Sequence, residues 1–144
     1  MTSELTYAQA PHPYTPAVAA GDLVFVSGRL GVRNGEFVTG GVEAEATQAL
    51  RNAEAELTAF DLDLTHAVKV TVFLADIADL QALNRAYAAV MPEPRPARSC
   101  VAVDALPFNA RVEIEIVASA QRRTPLPLPI PIPIPIIPTQ LNTE

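Results

Sequence analysis

The hydrophobic pattern of this chain switches between a period of two and a period near 3.6, and each switch marks an element. "AVAAGDLVFVSG" (residues 17–28) reads as a hairpin, with Gly21-Asp22 as the turn and Leu23 to Val26 as a β-branched and aromatic run. "LGVRNGEFV" follows, with Asn34-Gly35 as a two-residue turn between short apolar arms. After Gly40-Gly41 the period changes. Val42, Ala46, Ala49, Leu50, Ala53, Leu57 and Phe60 share a helical face, with Glu43 and Glu45 near the positive end of the dipole. "HAVKVTVFLA" alternates again: Val68, Val70, Val72 and Leu74 face one way, Lys69, Thr71 and Phe73 the other. Asp76 or Asp79 can cap a second helix carrying Leu80, Leu83, Tyr87 and Val90 on one face. "PEPRP" stops that helix and forces extended backbone into the strands "RSCVAV" and "ARVEIEIVAS". The predicted order is β-β-β-α-β-α-β-β, an α+β fold with a mixed sheet and both helices packed on one face.

Length and composition narrow the function classes. The chain has 144 residues, enough for one core, and 49% of them are apolar without a single tryptophan. A net charge of −6 and the lack of any basic run argue against nucleic acid as a partner. The N-terminal stretch lacks the charged and apolar regions of a secretory signal, and no segment reads as a membrane span. Cys100 is the sole cysteine, so no intrachain disulfide forms, which fits a reducing cytoplasm. His12 and His66 lack the spacing of a metal site, and Gly40-Gly41 lacks the residues of a phosphate loop. No metal or cofactor is implied. The domain is expected over residues 1–120 and a tail over 121–144, where seven of the fourteen residues from Pro125 to Pro138 are proline. That tail reads as polyproline II, as an extended strand with one edge blanked by proline, or as simple-sequence drift.

Candidate chemistry sits on the last two strands. Val112, Ile114 and Ile116 form one face of the final strand, with Arg111, Glu113 and Glu115 opposite. Arg98 and Cys100 share a face, with Ser99, Val101 and Val103 on the other. If these strands pair like a hairpin, Arg98 and Glu113 border one pocket. The same pattern also describes an ordinary Arg–Glu pair on a solvated sheet, and periodicity does not choose between them.

"PARSCVAVDALPFNARVEIEIVAS" resembles the C-terminal signature of the RidA (YjgF) family. "YTPAVAAGDLVFVSG", "FVSGRLGV", "GGVEAEATQALRNAEAEL" and "AVKVTVFLADIADLQALNRAYAAV" are similar to its other blocks, in order, over about residues 10–119. The resemblance implies a chorismate-mutase-like fold, a homotrimer with clefts between subunits, and hydrolysis of 2-iminopropanoate and 2-iminobutanoate to 2-oxo acid and ammonia. No metal or cofactor takes part in that reaction.

Carried over residue by residue, the resemblance places Arg98 at the arginine that grips the substrate carboxylate. A guanidinium fork suits that task. Glu113 falls at the acidic position that directs water onto the imine carbon. Cys100 matches a cysteine beside the ligand, expected to pack rather than attack, Tyr14 a tyrosine closing the cleft, and Asn84 an asparagine on the second helix. Ser27 and Gly28 match an "SG" turn in which glycine serves backbone shape. Three features depart from the family. Arg29 stands where glutamine is usual, adding charge at a cleft or interface. "MPEPRP" replaces a longer aromatic-bearing loop, and the proline tail is foreign to the family. Two other readings stay open: a non-catalytic binder or regulator of small carboxylates on the same fold, and a deaminase of another enamine.

Overall fold

The computed structural model describes residues 5–121 and 123–124, so every reading of the proline tail lies outside the described residues. β1 (Ala17–Ala20) and β2 (Leu23–Leu30) form the expected hairpin, turning at Gly21 with φ +59°. β3 (Val32–Arg33) and β4 (Glu36–Phe37) form a small ribbon of their own around Asn34 (φ 54°) and Gly35 (φ 80°). Positive φ at both turn residues matches the right-handed twist of the flanking arms. The single strand expected before the first helix is therefore two short ones. α1 (Gly41–Thr58), β5 (Ala67–Leu74), α2 (Leu80–Val90), β6 (Ala97–Ala102) and β7 (Val112–Ser119) complete the chain.

The main sheet runs β1-β2-β7-β5-β6. β5 and β6 are parallel, as the α2 crossover between them requires, and the other pairs are antiparallel. Both helices pack on one face. Beneath them Val70, Val72 and Leu74 of β5 and Val112, Ile114 and Ile116 of β7 are at most 1% exposed, as are Leu50 and Leu57 of α1 and Leu83 of α2. Val68 falls out of the face assigned to it. A register shift between Ala67 and Lys69 makes Val68 the extra residue, and Ala67, opposite Ala118, takes the buried place.

Charged residues at the end of β7 depart from the sequence pattern. Arg111 does not line up with Glu113 and Glu115. Its guanidinium donates to both carboxylate oxygens of Asp79, at 2.9 and 3.0 Å, and its N–H donates to Glu45 Oε1 at 3.2 Å. Glu45, read as an acid near the positive end of the helix dipole, is only 7% exposed, packed against Gly31 with its carboxylate accepting that N–H. Asp76, not Asp79, makes a capping bond, accepting from the Ala78 N–H at 2.9 Å in the turn before α2.

Candidate active site

β7 alternates between buried apolar residues and acids, so Glu113 and Glu115 emerge on the sheet face that the helices leave open. Across from them β2 bulges: the register shifts between Val26 and Arg29, with Ser27 and Gly28 in the bulge. The Glu113 side chain lies across Gly28. A Cβ added there would stand 1.9 Å from Glu113 Oε1, so this glycine supplies room for a carboxylate rather than an unusual backbone shape. Burial raises the Glu113 pKa above the ordinary glutamate range, and the neighbouring Glu115 charge adds to the rise. The same bulge turns Arg29 toward the helices, opposite Ile114, where it pairs with Glu56 of α1 at 2.6 Å. Arg29 is thus an 11%-exposed partner of α1 within the chain, and its charge still acts on Tyr14 in the cavity wall.

The N-terminal segment folds back over this face. Ser27 Oγ donates to the Thr15 carbonyl at 2.7 Å, and the Ser27 N–H donates to the Pro16 carbonyl at 2.9 Å, fixing the segment to the bulge. Between segment and sheet lies a cavity of about 450 Å³, walled by Tyr7, His12, Tyr14, Gly28, Phe108, Glu113 and Glu115 among others. Tyr7 meets His12 at a ring-centroid distance of 4.7 Å and Phe108 edge-on at 5.4 Å; His12 meets Tyr14 at 5.6 Å. The Tyr14 phenol is raised by burial and by Tyr7, against an opposing pull from Arg29, so it keeps its proton.

Arg98 and Cys100 lie elsewhere. The expected hairpin of the last two strands does not form, because β5 inserts between β6 and β7. Arg98 stands beside Val70 and Cys100 beside Val72, on the helix side, whereas Glu113 stands beside Phe73 on the open side. The Arg98 guanidinium covers the Tyr87 ring at 4.7 Å, and the Tyr87 hydroxyl is buried with no partner among the described residues. Burial pushes the Cys100 thiol up, with Arg98 pulling against it, so the sulfur is a packed thiol. Asn84 is exposed on α2, three residues before Tyr87. Within one chain, then, Tyr14 and Glu113 share a cavity, and Arg98 and Cys100 border the opposite face.

A family model described as Endoribonuclease L-PSP matches residues 6–120, which takes in both groups of residues. The chain belongs to this family, the RidA (YjgF) family. It is 45% identical over 109 residues to Reactive Intermediate Deaminase A, chloroplastic, of Arabidopsis thaliana, covering 74% of this chain and 58% of that protein's length. It is 43% identical over 108 residues to human 2-iminobutanoate/2-iminopropanoate deaminase, covering 74% of this chain and 79% of that protein. The solved structure of E. coli TdcF with bound serine superposes with a TM-score of 0.73 at 33% identity, over 78% of this chain and 91% of that one.

The RidA-like signature carries no hint of several residues that shape this cavity. Glu115 was within reach of sequence reasoning, because the period of two puts it on the face of Glu113. Tyr7, His12 and Phe108 gave no signal, since only the fold-back of the N-terminal segment brings them together.

Proposed function

We propose that this RidA-family chain hydrolyses small 2-imino and 2-enamino acids to 2-oxo acids and ammonia, as a cytoplasmic homotrimer needing no metal or cofactor. The observation that carries the reading is Glu113, a desolvated carboxyl laid over Gly28 in the wall of a 450 Å³ cavity. A base with a raised pKa accepts a proton from water more readily than a solvated carboxylate does. Arg98 supplies the fork for the substrate carboxylate, and Tyr87 beneath it holds the guanidinium plane. Cys100 packs beside it, Tyr14 closes the far wall, and Asn84, exposed on α2 three residues before Tyr87, is the further substrate contact on this reading.

Since one chain turns Arg98 and Glu113 to opposite sheet faces, a complete site on this reading joins Arg98 of one copy to Glu113 of its neighbour. The exposed apolar side chains of the open face, Val18 at 50%, Phe25 at 46% and Val101 at 46%, support such assembly. In the reaction Glu113 takes a proton from water as its oxygen bonds to the C=N carbon. The carbinolamine then breaks its C–N bond: nitrogen receives the proton from Glu113 and leaves as ammonia, and the hydroxyl of the new ketone gives its proton to the Glu113 carboxylate, which releases it to solvent with the product, so that the iminium and water become ketone, ammonia and a proton. The family description names an endoribonuclease. A net charge of −6 and two carboxylates in the cavity favour a cationic iminium over a phosphodiester.

The test generates 2-iminopropanoate in situ with an amino-acid oxidase and follows loss of semicarbazone trapping. The wild type is expected to compete with the trap. Arg98→Ala should lower kcat/KM about 100-fold or more, with Arg98→Lys a poor rescue, because the charge survives and the fork does not. A wild type that binds 2-oxo acids without turnover would point to a small-carboxylate binder; normal turnover by Arg98→Ala would remove Arg98 from the site.

A further inference from the structure

His12 has no part in the reaction above, yet it stands in the wall of the same cavity with both ring nitrogens engaged. Nε2 lies 3.2 Å from the Tyr7 carbonyl oxygen. A carbonyl only accepts, so Nε2 carries the proton of the neutral ring. Nδ1 is then an acceptor, and the Tyr14 hydroxyl 3.2 Å away is its donor. The tilted contact with Tyr7 and the edge contact with Tyr14 hold the ring plane, so these roles do not exchange by ring rotation.

We propose that His12 is a positioning residue that sets the direction of the Tyr14 hydroxyl. With neutral His12 the phenolic proton points at Nδ1 in preference to the Tyr7 side chain, which also lies within its hydrogen-bond reach, and the oxygen lone pairs of Tyr14 face the cavity as an acceptor. Beside Glu113 and Glu115 such an acceptor suits the N–H of a cationic iminium nitrogen. The other tautomer would reverse this: an Nδ1–H would donate to Tyr14 Oη and turn the hydroxyl hydrogen outward, presenting a donor where the ligand also carries donors. The ionisable groups facing His12 are Tyr7 and Tyr14 on its own segment and Glu113 and Glu115 from β7, with Arg29 of β2 acting on Tyr14. The His12 variants below retain all of them.

This inference rests on the imine-hydrolase reading for its ligand, and its test separates the two. In the full chain labelled with ¹⁵N-histidine, at pH 8 and without substrate, His12 should be the Nε2–H tautomer with a hydrogen-bonded Nδ1. Tyr14→Phe should move that Nδ1 resonance to the position of a free unprotonated nitrogen. In turnover of 2-iminopropanoate, His12→Phe keeps the ring contact and loses the acceptor, and should lower kcat about tenfold at pH 8. His12→Asn offers an amide oxygen near the Nδ1 position and should recover most of that loss. An Nδ1–H tautomer, resonances indifferent to Tyr14→Phe, or no recovery of turnover in His12→Asn would overturn the proposal. A wild type without imine turnover would defeat the reading of the reaction alone, since the tautomer is read without substrate and still decides the His12–Tyr14 relation.

Discussion

Glu113 shows what burying a single carboxyl costs the fold. Its carboxyl is held over Gly28 and beside Glu115, and both burial and the neighbouring charge disfavour the ionised form. A carboxyl whose pKa is raised by folding binds its proton more tightly in the native state. Its stabilising contribution is complete below the unfolded-state pKa and is lost as pH rises through the raised folded value. Above that folded value the wild type has lost it. Glu113→Gln keeps shape and hydrogen-bonding capacity without the charge, so it should melt above the wild type at pH 8, and the gap should close on acidification through the carboxylate range. Thermal denaturation at pH 8 and pH 4 checks this. A variant that melts below the wild type at pH 8 would mean that the carboxylate is stabilised in the fold, against the sign of its surroundings.

Among the elements, small irregularities decide which side chain points where. The extra residue in β2 sends Arg29 to α1 while leaving Gly28 under Glu113, and the extra residue in β5 replaces Val68 by Ala67 in the core. The start of β5 is also tied down from the far end of the chain. Arg123 Nη1 donates to the Ala67 carbonyl at 2.6 Å, and Nη2 donates to the Pro94 carbonyl in the connection before β6. Charge-assisted bonds of this kind contribute about 1.5–3 kcal/mol when shielded, and less where solvent reaches them. A chain ending at Thr124 should melt with the full-length protein. One ending at Ala120, or carrying Arg123→Ala, should melt roughly 2–8 °C lower with its cavity intact. Equal melting temperatures for all four proteins would show that the clamp contributes nothing.

For the whole molecule the governing fact is that β5 separates β6 from β7 and so puts Arg98 and Glu113 on opposite faces. If catalysis needs both, two copies must meet head to tail, and a ring closes only for a suitable rotation. Complementation tests this directly. Arg98→Ala and Glu113→Gln are each expected to be nearly inactive, but denatured together, refolded as a mixture and assayed, they should regain roughly a quarter of wild-type turnover. That fraction is the share of sites in a randomly mixed ring that draw an intact Arg98 and an intact Glu113 from adjacent copies. A mixture as inactive as its parents would place the site within one chain and end the shared-site reading.

The alternation of β7, the helical spacing from Val42 to Leu57, the Asn34-Gly35 turn and the blocks resembling the RidA family were all legible in the sequence. Each is a local pattern set by backbone period or turn chemistry, or a string of residues that can be matched position by position. The order of strands in the sheet was not legible. Periodicity says that a segment is a strand and which residues share its face, but not which strand lies beside it, so a hairpin of the last two strands looked as good as the sheet that forms. The phases of Arg29 and Val68 escaped for a related reason: a bulge adds one residue against a partner strand, and its effect exists only once that partner is paired. Burial of Glu45 under the Arg111 N–H and the meeting of His12, Tyr14 and Glu113 around one cavity belong to the same class. They join segments far apart in the chain, where no local rule acts, and only the folded sheet and the segment laid across it bring them within reach.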